Sequence, residues 1–303
     1  VSDPELNTCL PPLQPLRLPW LAAAGVEVAV LRLDLIDPLV SGNKWFKLRP
    51  WLAQARATGA PGLISLGGPW SNHLHALAAA GRREGLQTVG LLRGEPRRTA
   101  TIEDLEALGM QLHWLGYGGY RARHQPGFWA PWLARYPGML AIPEGGACVQ
   151  SMHSCAELVT LSEAQLPALG WPGFDAWWLA AGTGTTVAGL VLGEAGRRRV
   201  HGALAVPLGQ GAEANVEALA GGQGVCWHDA SRGGFGKADA ALLTFMEQCE
   251  HQGNLPLEPL YTAKALMALH DHLLTGQVPP GTRLVFVHTG GLQGRRGFET
   301  SQP

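Results

Sequence analysis

The chain has 303 residues, 46% hydrophobic and 16% charged, which excludes a disordered polymer and is enough for two lobes or one large α/β unit. A formal net charge of −1 with no basic block excludes a nucleic-acid surface, and no uninterrupted apolar run reaches membrane length. The cysteines Cys9, Cys148, Cys155, Cys226 and Cys249 are odd in number and lack Cys-x-x-Cys spacing, which argues against a disulfide framework or a zinc site; with no signal-peptide order at the N-terminus, a cytoplasmic setting is expected.

Residues 1–25 are rich in Pro and Leu and show no clear period. Alternation over 26–34 predicts a strand, which the Asp37-Pro38 pair breaks. After Ser41-Gly42-Asn43-Lys44, the residues Lys47, Leu48, Trp51, Leu52 and Ala55 recur at helical spacing until Gly59. A first series follows, with strands predicted at 62–66, 88–92, 111–115 and 140–143. Its helices run from a Ser71 cap to Gly81, over 102–108, near 129–136 and over roughly 150–165. A second series has strands at 175–181, 200–207, 225–227 and 283–288, with helices at 187–196, 212–220, 239–251 and 263–275. Strands alternating with helices imply an α/β protein of mostly parallel sheets flanked by helices. Two series predict two lobes, a large domain of 1–47 with 158–303 and a small domain of 48–157. Trp45, Trp51, Trp129, Trp132, Trp177 and Trp178 are expected mostly in the core, and Arg197-Arg198-Arg199 offsets a helix dipole.

Five stretches carry chemistry. The chain has only four lysines, Lys44, Lys47, Lys237 and Lys264. Lys44 stands where a polar turn enters a helix. There it is either a solvated first-turn residue or, in a partly desolvated site, a nucleophile able to form a Schiff base. Lys47 lies one turn on, where like charge lowers an amine's pKa. Gly67-Gly68-Pro69-Trp70-Ser71-Asn72-His73 offers a hydroxyl, a carboxamide and an imidazole at a helix start, or simple capping. Gly182-Thr183-Gly184-Thr185-Thr186 between a strand and a helix is either an ordinary turn or a phosphate cup, in which backbone N–H groups, hydroxyls and the helix dipole face an anion. It matches neither the Walker loop nor the dinucleotide fingerprint. Glu258-Pro259-Leu260-Tyr261-Thr262-Ala263-Lys264 and His288-Thr289-Gly290-Gly291 place further polar groups at a helix start and a strand end.

Together these motifs, in this order and across most of the chain, resemble the 1-aminocyclopropane-1-carboxylate deaminase/D-cysteine desulfhydrase family. Its members are pyridoxal 5'-phosphate enzymes of the two-lobed tryptophan-synthase-β-like fold (fold type II). The resemblance implies that Lys44 holds the cofactor as an internal aldimine and then moves protons at the substrate α-carbon. It implies that Asn72 bonds the phenolic oxygen, that Gly182, Thr183, Gly184, Thr185 and Thr186 hold the phosphate, and that Thr262 meets the pyridine nitrogen. Ser71, Asn72, His73, Tyr261 and Thr289 then bind the substrate. Ser71 sits by the carboxylate or reacting carbon, and Tyr261 supplies a phenol for proton transfer. A small amino-acid substrate, a cofactor in the cleft between the lobes and a homodimer are implied as well.

Two positions separate the family's activities. Deaminases typically carry Glu after the tyrosine and Leu after the histidine, whereas desulfhydrase-like members carry Ser or Thr at both, as Thr262 and Thr289 do here. A carboxylate keeps the pyridine nitrogen protonated and makes the strong electron sink that opens a cyclopropane. A hydroxyl leaves a weaker sink, which suffices when a β-thiolate departs. α,β-Elimination from D-cysteine is therefore expected, with cyclopropane deamination, or cofactor binding with altered or lost catalysis, as alternatives. The chain departs from the family pattern at Trp70 (usually Gln), at Phe235 (often Tyr) and over Ala147-Cys148-Val149-Gln150. These changes surround the substrate and not the cofactor.

Overall fold

The computed structural model describes residues 10–299, so Cys9 and the first nine residues of the Pro- and Leu-rich stretch lie outside the described residues. The described chain divides into two compact units, one of residues 10–43 with Met152–Leu292, the other of Lys44–Ser151 with residues 293–299. Its strands are, in chain order, β1 (Leu13–Leu16), β2 (Glu27–Arg32), β3 (Gly62–Gly67), β4 (Gln87–Leu92), β5 (Gln111–Trp114), β6 (Leu140–Ala141), β7 (Ala176–Ala181), β8 (Arg199–Leu204), β9 (Val225–Asp229) and β10 (Arg283–His288).

In the first unit six strands lie in the order β1-β2-β10-β7-β8-β9. All neighbours are parallel except β1, which pairs antiparallel with β2. The central strand β7, Ala-Trp-Trp-Leu-Ala-Ala, is buried along its whole length, as a strand covered on both faces must be. Trp177 and Trp178 point to opposite faces, and their indoles donate to Glu194 Oε1 (2.5 Å) and to the Ala265 carbonyl (2.8 Å). One face carries the helix Thr262–Leu274, whose Ala263, Ala265, Leu266 and Leu269 pack in one core with Trp178 and Phe286. The helix Thr185–Glu194 meets the helix Val149–Glu163 closely at Gly189, where a Cβ would stand 2.4 Å from Cys155 Cβ.

In the second unit four parallel strands lie in the order β5-β4-β3-β6. Ile64, Leu66, Val89 and Leu91 form its core with Tyr120 and Met139. The expected parallel α/β architecture is thus found in both sheets.

Several elements differ from their expected form. β1 and the helix Pro19–Ala24 occupy a region without visible period, because four and six residues are too few to display one. Pro15 is tolerated in an edge strand, and Pro19 stands in the first turn, where its missing N–H is not needed. Helix Asn72–Glu84 runs past Gly81 to Gly85, whose φ of 67° caps it. Gly81 is a packing residue and not a terminator, since a Cβ there would lie 2.2 Å from Thr88 Cγ2. The helix Gly116–Arg121 and the 3₁₀ turn Ala122–His124 lie between the strand expected at 111–115 and the helix expected near 129–136, where no element is expected. By contrast, Ala212–Ala220 and Arg283–His288 have the expected bounds. Trp45, Trp177 and Trp178 are buried, while Trp51, Trp129 and Trp132 are half-buried. No helix among the described residues is long and apolar enough to cross a membrane.

Candidate active site

The first unit carries the Gly-Thr-Gly-Thr-Thr turn between β7 and the helix Thr185–Glu194. Gly184 has φ 81°, and a Cβ there would lie 2.7 Å from both the Ala212 carbonyl oxygen and Val216 Cγ2, so only glycine forms this turn. Thr183 and Thr185 bring their hydroxyls to 3.3 Å, and Asn215 donates to the Thr183 carbonyl. Asn43, the residue before Lys44, donates through Nδ2 to Thr186 Oγ1 (2.9 Å), and its N–H donates to the Thr289 carbonyl (3.1 Å). Gly42, at φ 73°, makes this contact possible, because a Cβ would stand 2.0 Å from that carbonyl oxygen. The peptide entering Lys44 is therefore bound at once to the cup and to the end of β10.

Tyr261 immediately precedes the helix Thr262–Leu274. Its ring lies over Gly182, where a Cβ would be 3.1 Å from Tyr261 Cε1, and meets Phe235 edge-on with centroids 5.7 Å apart. Behind it is Glu258, wholly buried. Oε1 of Glu258 accepts from the N–H groups of Tyr261 (2.8 Å) and Thr262 (2.6 Å), and Oε2 accepts from that of Leu260 (2.9 Å). Burial pushes the Glu258 carboxyl up to about 7, against these bonds, which pull it down. Thr262 is also wholly buried and turns its hydroxyl to Glu258, within 3.2 Å of Oε1 and accepting from the Glu258 N–H (2.9 Å). At the end of β10, His288 is buried, 3.1 Å from Asp34 and 2.8 Å from the Pro256 carbonyl.

The second unit carries Lys44, partly exposed in the first turn of the helix Asn43–Thr58, with Lys47 buried one turn on. Ser71 caps the helix Asn72–Glu84 by accepting from the Leu74 N–H (3.2 Å), and a Cβ on Gly67 would meet its Oγ at 2.4 Å. Asn72 Oδ1 accepts from Gln293 Nε2 (3.1 Å), which leaves both N–H bonds of the carboxamide to donate elsewhere. His73 points inward. Ser65 Oγ donates to the Ile142 carbonyl (2.8 Å), so it must accept from His73 Nε2 (2.9 Å), and the imidazole is the Nε2–H tautomer. Burial first, then the ammonium groups of Lys44 and Lys47, hold its pKa well below the usual histidine range.

A sequence profile described as "Pyridoxal-phosphate dependent enzyme" matches residues 3–290. The chain belongs to the pyridoxal-phosphate-dependent enzyme family. It is 27% identical over 299 residues to a putative 1-aminocyclopropane-1-carboxylate deaminase of Pyrococcus horikoshii, covering 89% of this chain and 86% of that protein. It is 27% identical over 301 residues to the D-cysteine desulfhydrase of Salmonella choleraesuis, covering 88% of this chain and 87% of that one. A crystal structure of an ACC deaminase homologue superposes with TM-score 0.85 at 25% identity, over 98% of this chain and 94% of that one. The resemblance read from the motifs is thereby met, and with it the fold and the cofactor.

For this pyridoxal-phosphate enzyme the residues present fit the group. The cup has no room for a side chain at Gly184, has clustered threonine hydroxyls and opens a ten-residue helix, the donor set a phosphate dianion needs. Asn72 is oriented as a donor, as a phenolate partner must be. Sequence reasoning missed Asn43, Gln293 and the roles of Glu258 and Lys264. All but Gln293 stood in motifs already singled out, but their partners are set by tertiary contacts.

Proposed function

We propose that this enzyme eliminates the β-substituent and the amino group of a small β-substituted amino acid, converting D-cysteine and water to pyruvate, ammonia and hydrogen sulfide. Bound pyridoxal phosphate supplies the electron sink for the pair left at Cα when its proton departs. The Lys44 amine would hold the cofactor covalently and, when free, would move that proton. Gly182, Thr183, Gly184, Thr185 and Thr186 hold the phosphate, and Asn72, oriented by Gln293, donates to the phenolic oxygen. Ser71 binds the substrate carboxylate, and the Tyr261 phenol protonates the departing group. Thr262, which must turn its hydroxyl away from Glu258 to do so, is assigned to the pyridine nitrogen, and Thr289 to the substrate. His73, from inside its unit, supports the turn that carries Ser71 and Asn72. A homodimer is part of the proposal.

The observation that carries elimination over ring opening is threonine at both discriminating positions, 262 and 289, with no carboxylate at 262. The acid in the same turn, Glu258, commits both oxygens to backbone N–H groups. The test is pyruvate and sulfide release from D-cysteine beside pyruvate release from 1-aminocyclopropane-1-carboxylate. Turnover of the cyclopropane alone refutes the proposal. Lys44→Ala should abolish the covalent cofactor band and turnover while leaving the fold intact; full turnover by Lys44→Ala would remove the central assignment.

A further inference from the structure

The loop between β9 and the helix Ala240–Gly253 has an unusual backbone. Arg232, Gly233, Gly234 and Gly236 have φ of 51°, 82°, 144° and 80°; the glycines adopt these freely, whereas Arg232 needs contacts that hold it in the left-handed region. Those contacts are present. The Gly234 N–H donates to the Ser231 carbonyl (3.1 Å) and closes a turn. Lys264, almost fully buried, donates its ammonium into that turn, to the carbonyls of Ser231 (2.9 Å) and Gly234 (3.1 Å). Arg232 pairs with Asp239 at 2.7 Å, and the Ser231 N–H donates to Asp229 Oδ1 at 2.8 Å.

The product of this bracing is the placement of Phe235. It follows the pinned turn directly, packs edge-on against Tyr261 and is nevertheless 46% exposed. Tyr261 in turn lies over Gly182, the first residue of the phosphate cup. Gly182, Tyr261 and Phe235 therefore form a row, with the phenol next to the cup and an uncovered phenyl beyond it. A phenyl offers a thiol only a weak π contact, and it gains more when an apolar group covers it.

We propose that Phe235 is the residue that selects the β-substituent, favouring a sulfur that bears an apolar group over a free thiol, and that Lys264 is the positioning residue that holds it there. The inference rests on the reading that Tyr261 faces the substrate. The preferred substrate class is then a β-thioether amino acid, R–S–CH2–CH(NH3+)–COO−. With one water it gives R–SH, pyruvate and ammonium. The Cβ–S bond breaks with its electron pair on sulfur, sulfur takes a proton, Cα loses one, and the water oxygen becomes the ketone oxygen. No oxidant or reductant enters.

The test uses the purified holoenzyme and two ligands with no leaving group, 2-aminobutyrate and norvaline, which replace the sulfur of cysteine and of S-methylcysteine by carbon. Calorimetric titration, with each enantiomer, should show norvaline binding about fourfold tighter, the effect of one more buried methylene. In Phe235→Ala the ratio should fall to about one. In Lys264→Met it should fall likewise although the phenyl remains, with the cofactor's visible band retained. Phe235→Leu should keep part of the preference. Equal affinities in the wild type, or an unchanged ratio in Phe235→Ala, would overturn the inference. A phenyl that merely props Tyr261 would weaken both ligands equally when removed, which also overturns it. Pyruvate from cysteine without discrimination leaves the lyase reading standing and removes only this step. No pyruvate from cysteine or from S-methylcysteine removes the lyase reading itself.

Discussion

Glu258 is the side chain on which the Tyr261 corner depends, and its replacement has a calculable effect. Its two oxygens accept three backbone N–H bonds and lie near the Thr262 hydroxyl, all at the start of the helix Thr262–Leu274. Glutamine keeps the shape but has one oxygen. With that oxygen in place of Oε1, the bonds from Tyr261 and Thr262 survive and the amide N–H faces the Leu260 N–H, donor against donor. One backbone donor is lost in a dry site, at about 1–3 kcal/mol. Alanine leaves three such donors, at roughly 3 kcal/mol or more, a large part of the 5–15 kcal/mol typical of a whole domain. Urea unfolding followed by tryptophan fluorescence should order the midpoints wild type, Glu258→Gln, Glu258→Ala. There is also a pH signature. Burial raises the folded carboxyl from 4.5 to about 7, so this group's contribution is fully present below about 4.5 and diminishes as pH rises to about 7. Glu258→Gln should lack that slope. Equal midpoints for all three proteins would refute the capping role, and an identical slope in Glu258→Gln would refute the titration.

Other expectations are as direct. Tyr261→Phe should lower turnover far more than cofactor affinity, measured by turnover assays beside equilibrium dialysis; equal loss of both contradicts its place by the substrate. Gly81→Ala should destabilise by about 1–3 kcal/mol through its clash with Thr88 Cγ2, and Thr88→Ser, which deletes that methyl, should restore the midpoint. His201 and His228 share a hydrogen bond (2.9 Å) beside Trp178, and burial first, then the charge of His272, lowers both to about 4. Their folded values lie below the unfolded 6.5, so stability is full above about 6.5 and falls as pH drops towards about 4. His228→Gln should flatten the wild-type melting profile across that window; an unchanged profile would show that the pair does not titrate there.

Much of this protein is legible from local pattern. Strand–helix alternation reports the period of backbone hydrogen bonding and side-chain burial, so it located β2 to β10 and implied parallel pairing. The cup and the Lys44 turn are legible for the same reason, since a glycine needed for a positive φ or a close approach, as at Gly184 and Gly42, leaves its mark in the sequence. Local pattern failed where an element was too short to show a period, as in β1, and where a glycine served packing and not termination, as at Gly81.

What only the tertiary structure decided is which polar groups meet. Gln293 lies 221 residues from Asn72, Asn43 lies 143 from Thr186, and Lys264 reaches back 33 residues to Ser231. No window of sequence contains both partners, and each pairing depends on how the strands are ordered in their sheet. The sequence alone determined the family, the fold class and the cofactor. The fold decided that Glu258 and Lys264 are buried and directed at the residues around Tyr261, because a buried charge must find its partners wherever the chain brings them.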